Sequence, residues 1–104
     1  MSRQFVPVAR LTDIPVKSNK AFEVAGENIL ICHTEMGIFA VRNRCSHQAS
    51  SLEGGIIKKC FLYCPEHAAR FDLRDGSTKG KLTKEGIRTY EVRVVDGHIE
   101  VAVD

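Results

Sequence analysis

No stretch of this 104-residue chain approaches the eighteen or more apolar residues that a membrane span requires. The opening residues MSRQFVPVAR have neither an apolar leader core nor a small-residue cleavage site, so the chain is expected to stay in the cytoplasm with its thiols reduced. Charge of one sign is scarce too. Fifteen Lys and Arg face thirteen Asp and Glu for a formal net charge of +2, and the basic residues are scattered, without the interleaved aromatics of a stacking surface. Nucleic acid is therefore not an expected partner. There is no internal repeat, linker or low-complexity segment, and the length suits one domain over residues 1–104 with no room for a second, catalytic one.

What the chain does have is strand-like sequence. Alternating or β-branched runs recur at Gln4–Val8, Ala21–Ala25, Ile29–Thr34, Ile38–Arg42, Thr89–Val95 and His98–Val103, which predicts an all-β fold. Turn signals separate them at Gly26 to Asn28, Met36-Gly37, Asp75-Gly76 and Asp96-Gly97, the last suited to a type I′ hairpin. A short turn near Leu11 to Ile14 is the one helical hint. Residues from about 43 to 81 are richer in Gly, Ser, His and Cys than the flanks, and are expected to form an inserted subdomain of loops and short strands.

That middle third holds the chemistry. Cys45 and His47 in RCSH, then Cys64 and His67 in YCPEH, spell C-x-H, a gap of sixteen residues, and C-x-x-H. The gap contains Gly54, Gly55 and the strand-like run Cys60 to Tyr63, which allows two loops to meet at the tips of neighbouring hairpins. Two chemistries suit one thiolate and one imidazole per loop. Zinc takes two Cys and two His, although usually with like ligands paired in sequence. A [2Fe-2S] centre explains the mixed pairs if one iron takes both cysteines and the other both histidines. Two ferric ions, two sulfides and two thiolates cancel in charge, whereas four thiolates would leave two negative charges, so the mixed set accepts an electron more readily. Cys32 and Cys60 are expected to be unbridged apolar residues on strands. His33 and His98, without cysteine neighbours, are expected not to be ligands.

The four ligands at these spacings, with Leu52 to Gly55 and the stretch ARFDLRDG over 69–76, resemble the Rieske motif, and the resemblance extends over nearly the whole chain. It implies a Rieske-like antiparallel β-sandwich or barrel with an inserted cluster-binding subdomain, and one Rieske-type [2Fe-2S] cluster held by Cys45, His47, Cys64 and His67. Members of the cytochrome bc-type branch carry two further cysteines that bridge the loops, and hydroxyl side chains beside the cluster. The matching positions here are Ser50, Glu66, Ala69 and Phe71, which places the chain with the ferredoxin branch and implies a reduction potential on the order of −150 mV.

Such ferredoxins resemble carriers that take one electron at a time from a flavin-dependent NAD(P)H reductase and deliver it to a terminal oxygenase, commonly an aromatic-ring-hydroxylating one. By that likeness the chain is not itself an enzyme, and His47 and His67 would form the electron exit. A monomer suits a carrier that visits two partners. Two rival readings are the small Rieske-like subunit of a nitrite reductase and a zinc-bound structural module. Departures from the usual ferredoxin pattern are Gln48 and Ala68, where glycines are common, and a loop over 77–86 without proline. Glu66, inside the second ligand pair, would disfavour the added electron. Arg70, Arg74, Lys79, Lys81 and Lys84 suggest an acidic docking partner, although Asp72, Asp75 and Glu85 interrupt them.

Overall fold

The computed structural model describes residues 4–44, 51–65, 69–78 and 86–103. Ten strands are defined among them: β1 (Gln4–Arg10), β2 (Ser18–Val24), β3 (Glu27–Thr34), β4 (Gly37–Arg42), β5 (Ile56–Lys58), β6 (Phe61–Tyr63), β7 (Arg70–Asp72), β8 (Thr89–Tyr90), β9 (Val92–Val95) and β10 (His98–Val103). A 3-10 turn at Leu11–Asp13 matches the helical hint. The strands form three antiparallel sheets, ordered β1-β10-β9, β2-β3-β4-β8 and β5-β6-β7.

The layering follows from β3. Ile29, Leu30, Ile31 and Cys32 are all fully buried, a continuous apolar run that only a strand covered on both faces requires. Ile29 and Ile31 pack with Ile99, Val101 and Val103 of β10, while Leu30 and Cys32 pack with Ile57, Leu62 and Phe71 of the small sheet. Because successive strand residues point to opposite faces, the β2-β3-β4-β8 sheet carries a core on each side. The first core closes the sandwich. The second holds the β5-β6-β7 sheet against it.

The expected single strand Thr89–Val95 is two, interrupted at Glu91. Thr89 and Tyr90 pair with β4, whereas Val92 to Val95 pair with β10, so the chain changes sheets at that point. Two short strands, β5 and β7, lie within residues 43–81 and flank β6. Cys60 sits in the two-residue turn between β5 and β6 rather than on a strand, because left-handed Lys59 (φ 56°) reverses the chain just before it. Cys32 is on β3 as expected, and neither Cys32 nor Cys60 is bridged.

Candidate metal centre

Of the four expected ligands, Cys64 lies among the described residues, whereas Cys45, His47 and His67 lie outside them, as do Gln48, Ser50, Glu66, Ala68, Lys79, Lys81, Lys84 and Glu85. Strand β6 delivers Cys64 by alternation: Leu62 points into the core, Tyr63 out, and Cys64 in again, leaving it 3% exposed. The Cys64 N–H donates to the Ala69 carbonyl at 2.8 Å, closing the β6–β7 hairpin at the base of the loop that carries His67.

The first ligand loop is closed by a side chain. Asn43, directly after β4, is 6% exposed, and its Oδ1 accepts from the Ser51 hydroxyl (3.1 Å), the Leu52 N–H (2.8 Å) and the Glu53 N–H (2.9 Å). Its Nδ2 donates to Asn28 Oδ1 at 3.4 Å, and its backbone N–H donates to the Asn28 carbonyl at 3.0 Å. One carboxamide thus joins both ends of the segment containing Cys45 and His47 to the start of β3. Leu52, Cys64 and Ala69, which flank the two loops, belong to a single buried cluster with Leu62 and Phe71. The described residues that bracket the two candidate ligand segments therefore share one packed base.

A second strap ties the small sheet to β2, an edge strand. Asn19 donates to the Gly55 carbonyl (3.0 Å) and accepts from the Gly54 N–H (2.8 Å), and Glu53 accepts from the Ala21 N–H (2.8 Å). The edge is covered by these contacts. Gly55 permits the approach, since a Cβ there would run into the Tyr63 carbonyl oxygen, one residue from Cys64. At the end of β7, buried Asp72 accepts from the Arg74 backbone N–H and takes its guanidinium in a fork, Nε to Oδ1 at 3.0 Å and Nη2 to Oδ2 at 2.7 Å. Those hydrogen bonds and the adjacent negative charge push the Arg74 pKa above its ordinary value.

Neither Asn43 nor Asn19 stands out in the sequence as a site residue, and Gly55, which does, gives no sign there of its close approach to Tyr63. An isolated Asn carries no periodic signal, although Asn43 two residues before Cys45 was a place to look. His33 lies on β3 near the opposite end from Asn28, its Nδ1 2.7 Å from the Ile14 carbonyl, and His98 starts β10 with Nδ1 3.2 Å from the Asp96 carbonyl. Ala69 (1% exposed) and Phe71 (fully buried) bring apolar surface, not hydroxyls, beside Cys64. A buried thiol entering one loop, and two loops anchored on one apolar base, fit a two-loop cluster with mixed thiolate and imidazole ligands.

Comparison with known proteins agrees. The Rieske-like [2Fe-2S] domain family matches residues 4–102. The anthranilate 1,2-dioxygenase ferredoxin subunit of Burkholderia cepacia is 34% identical over 84 residues, 80% of this chain and 78% of that protein. The ferredoxin of carbazole 1,9a-dioxygenase from Nocardioides aromaticivorans IC177 superposes with a TM-score of 0.91 at 29% identity, covering 97% of this chain and 99% of that one. A putative NADH-dependent nitrite reductase small subunit from Mycobacterium tuberculosis shares the fold, with a TM-score of 0.90 at 18% identity over 100% of this chain and 98% of that one.

The chain belongs to the Rieske-like [2Fe-2S] domain family. Within it the chain is a ferredoxin, an electron-transfer protein with one Rieske-type cluster rather than a catalytic subunit. Among the described residues no helix is long and apolar enough to cross a membrane.

Proposed function

We propose that this chain is a cytoplasmic, monomeric one-electron carrier between an NAD(P)H-dependent flavoprotein reductase and a terminal aromatic-ring-hydroxylating oxygenase. Cys45, His47, Cys64 and His67 hold the cluster, residues 1–104 form one Rieske unit, and residues 43–81 form its cluster-binding part. When bound, the cluster supplies a reversible one-electron couple. The chain's own residues bury Cys64, tie the two ligand loops to one base through Asn43 and the Cys64–Ala69 hydrogen bond, and keep hydroxyl donors away at Ala69 and Phe71. The observation that carries the reading is this pairing of a buried Cys64 with two closed loops, in a chain 34% identical to a dioxygenase ferredoxin. The likeness to a nitrite reductase small subunit reaches the fold alone.

An EPR spectrum before and after dithionite reduction tests the cluster. The expected result is a silent oxidised protein that gains a rhombic signal with a low average g-value. Voltammetry should then place the potential on the order of −150 mV, and a clearly positive value would overturn the ferredoxin assignment of Ala69 and Phe71. Zinc without iron, and silence in both states, would overturn the electron-carrier reading. Purification solely as a complex with a large catalytic subunit would favour the nitrite-reductase-like alternative.

A further inference from the structure

The outer face of the β5-β6-β7 sheet is the one turned away from the inward-pointing Cys64, and its composition is unlike a solvated surface. Ile57, Leu62 and Phe71 point inward, so Ile56, Lys58, Phe61, Tyr63 and Arg70 point outward. Register sets Ile56 opposite Tyr63 and Tyr63 opposite Arg70, with Lys58 opposite Phe61. Ile56 is 63% exposed, the highest among the exposed large hydrophobic residues described. Lys58 Nζ lies 5.8 Å from the Tyr63 ring centroid, and the Arg70 guanidinium lies 5.2 Å from that of Phe61.

An apolar centre with aromatic rings and a cationic margin is the anatomy of a protein interface. On the three strands themselves the exposed charge has one sign. Asp72 is the sole carboxylate on the three strands, and it is 2% exposed and held by the Arg74 fork. Exposed Lys59, in the β5–β6 turn, adds to the cationic side. The structure thus redraws the basic patch read from sequence: Arg74 is committed to Asp72, and Lys58 joins Arg70.

Resting on the electron-carrier reading, we propose that this face is the docking surface for an acidic redox-partner protein, whose carboxylates meet Lys58, Lys59 and Arg70 around an apolar contact on Ile56 and Tyr63. The occupant is a protein, because the face is an open sheet with a protruding isoleucine and two rings rather than a pocket. Position supports the role. Tyr63 directly precedes Cys64, so a partner seated here touches the chain one residue from a ligand position.

The test uses the cluster-loaded protein and a reduced plant-type [2Fe-2S] ferredoxin, an acidic protein of lower potential, as the electron-donor probe. In stopped-flow mixing, the second-order rate with wild-type protein is expected to fall steeply as salt is raised. Lys58→Glu and Arg70→Glu should each slow transfer roughly tenfold at low salt. Ile56→Ser, which keeps every charge, should slow it at high salt as well. Lys17→Glu makes the same charge change at the far end of β3, where Lys17 pairs with exposed Glu35 at 2.9 Å, and should leave the rate within about twofold of wild type. EPR spectra and potentials matching wild type show that each variant is intact.

A salt-independent rate, no electron uptake from this donor, or equal slowing by Lys17→Glu and Lys58→Glu would overturn the docking surface. None of these depends on an oxygenase. A protein lacking the EPR signal would sink the carrier reading separately.

Discussion

Asn43 shows how much one polar side chain can decide beside a candidate metal site. Its Oδ1 gathers three donors from residues eight to ten positions later, and its amide reaches back fifteen positions to Asn28. Leucine has almost the same shape but no acceptor, so Asn43→Leu would orphan the buried Leu52 N–H, at a cost of about 1–3 kcal/mol for an unsatisfied group. The effect should fall on the loop more than on the sandwich, because both β cores pack without the carboxamide. The expected outcome is a folded protein, with wild-type far-UV circular dichroism, that loses its visible absorbance and iron several times faster. Asn43→Asp keeps the three-fold acceptor and should hold the cluster far better than the leucine variant. Equal retention in wild type and Asn43→Leu would show that the clamp is idle.

At the scale of elements, two hairpin turns share one geometry but not one chemistry. Asp96-Gly97 turns with φ of 51° and 77°, and Ala25-Gly26 with 51° and 81°, both left-handed at both positions as a type I′ turn requires. Asp tolerates that conformation, whereas alanine is strained by roughly 1–2 kcal/mol. Ala25→Asn should therefore stabilise the β2–β3 hairpin by about 1 kcal/mol and raise the thermal midpoint by about 4–8 °C, read by circular dichroism. No rise would mean that the flanking ladder, not the turn, sets the stability of this hairpin.

The same contrast explains what the sequence made legible. The long strands announced themselves through alternation and β-branching, and β10 runs over His98–Val103 as expected. Strands β5 and β7 have three residues each, too few for a period of two to show, and gain their identity from pairing with β6. The break at Glu91 was hidden because both sides of it are strand-like, and only the change of sheet separates them. Four Cys and His residues at fixed spacing, the proposed ligands, stand out in the sequence. The means of holding their loops was not, since Asn43, Asn19 and Gly55 act through contacts that folding creates.

For the whole molecule, the central sheet with a core on each face puts a thiol where no charge can be solvated. Cys32 lies fully buried among Leu30, Val41, Leu62 and Phe71, and burial pushes its pKa up to about 12 from an ordinary 9.0. Tyr90, packed in the other core, is likewise raised to about 12 from 10.0 by burial and by its hydroxyl donating to Glu27 at 2.8 Å. In each case the folded chain keeps a proton that the unfolded chain has released. Stability is then unaffected below pH 9, and falls as pH rises through 9–12 for Cys32 and 10–12 for Tyr90. The Cys32 contribution amounts to about 1.4 kcal/mol per pH unit within its window. Cys32→Val fills a similar volume with a good strand former and removes the titrating group. The expected result is that the thermal midpoint of the cluster-loaded wild type drops steeply between pH 9 and pH 11, while that of Cys32→Val drops less and that of Cys32→Val/Tyr90→Phe least. Parallel curves for all three would place the alkaline weakness elsewhere, in the ligand loops rather than in the double core.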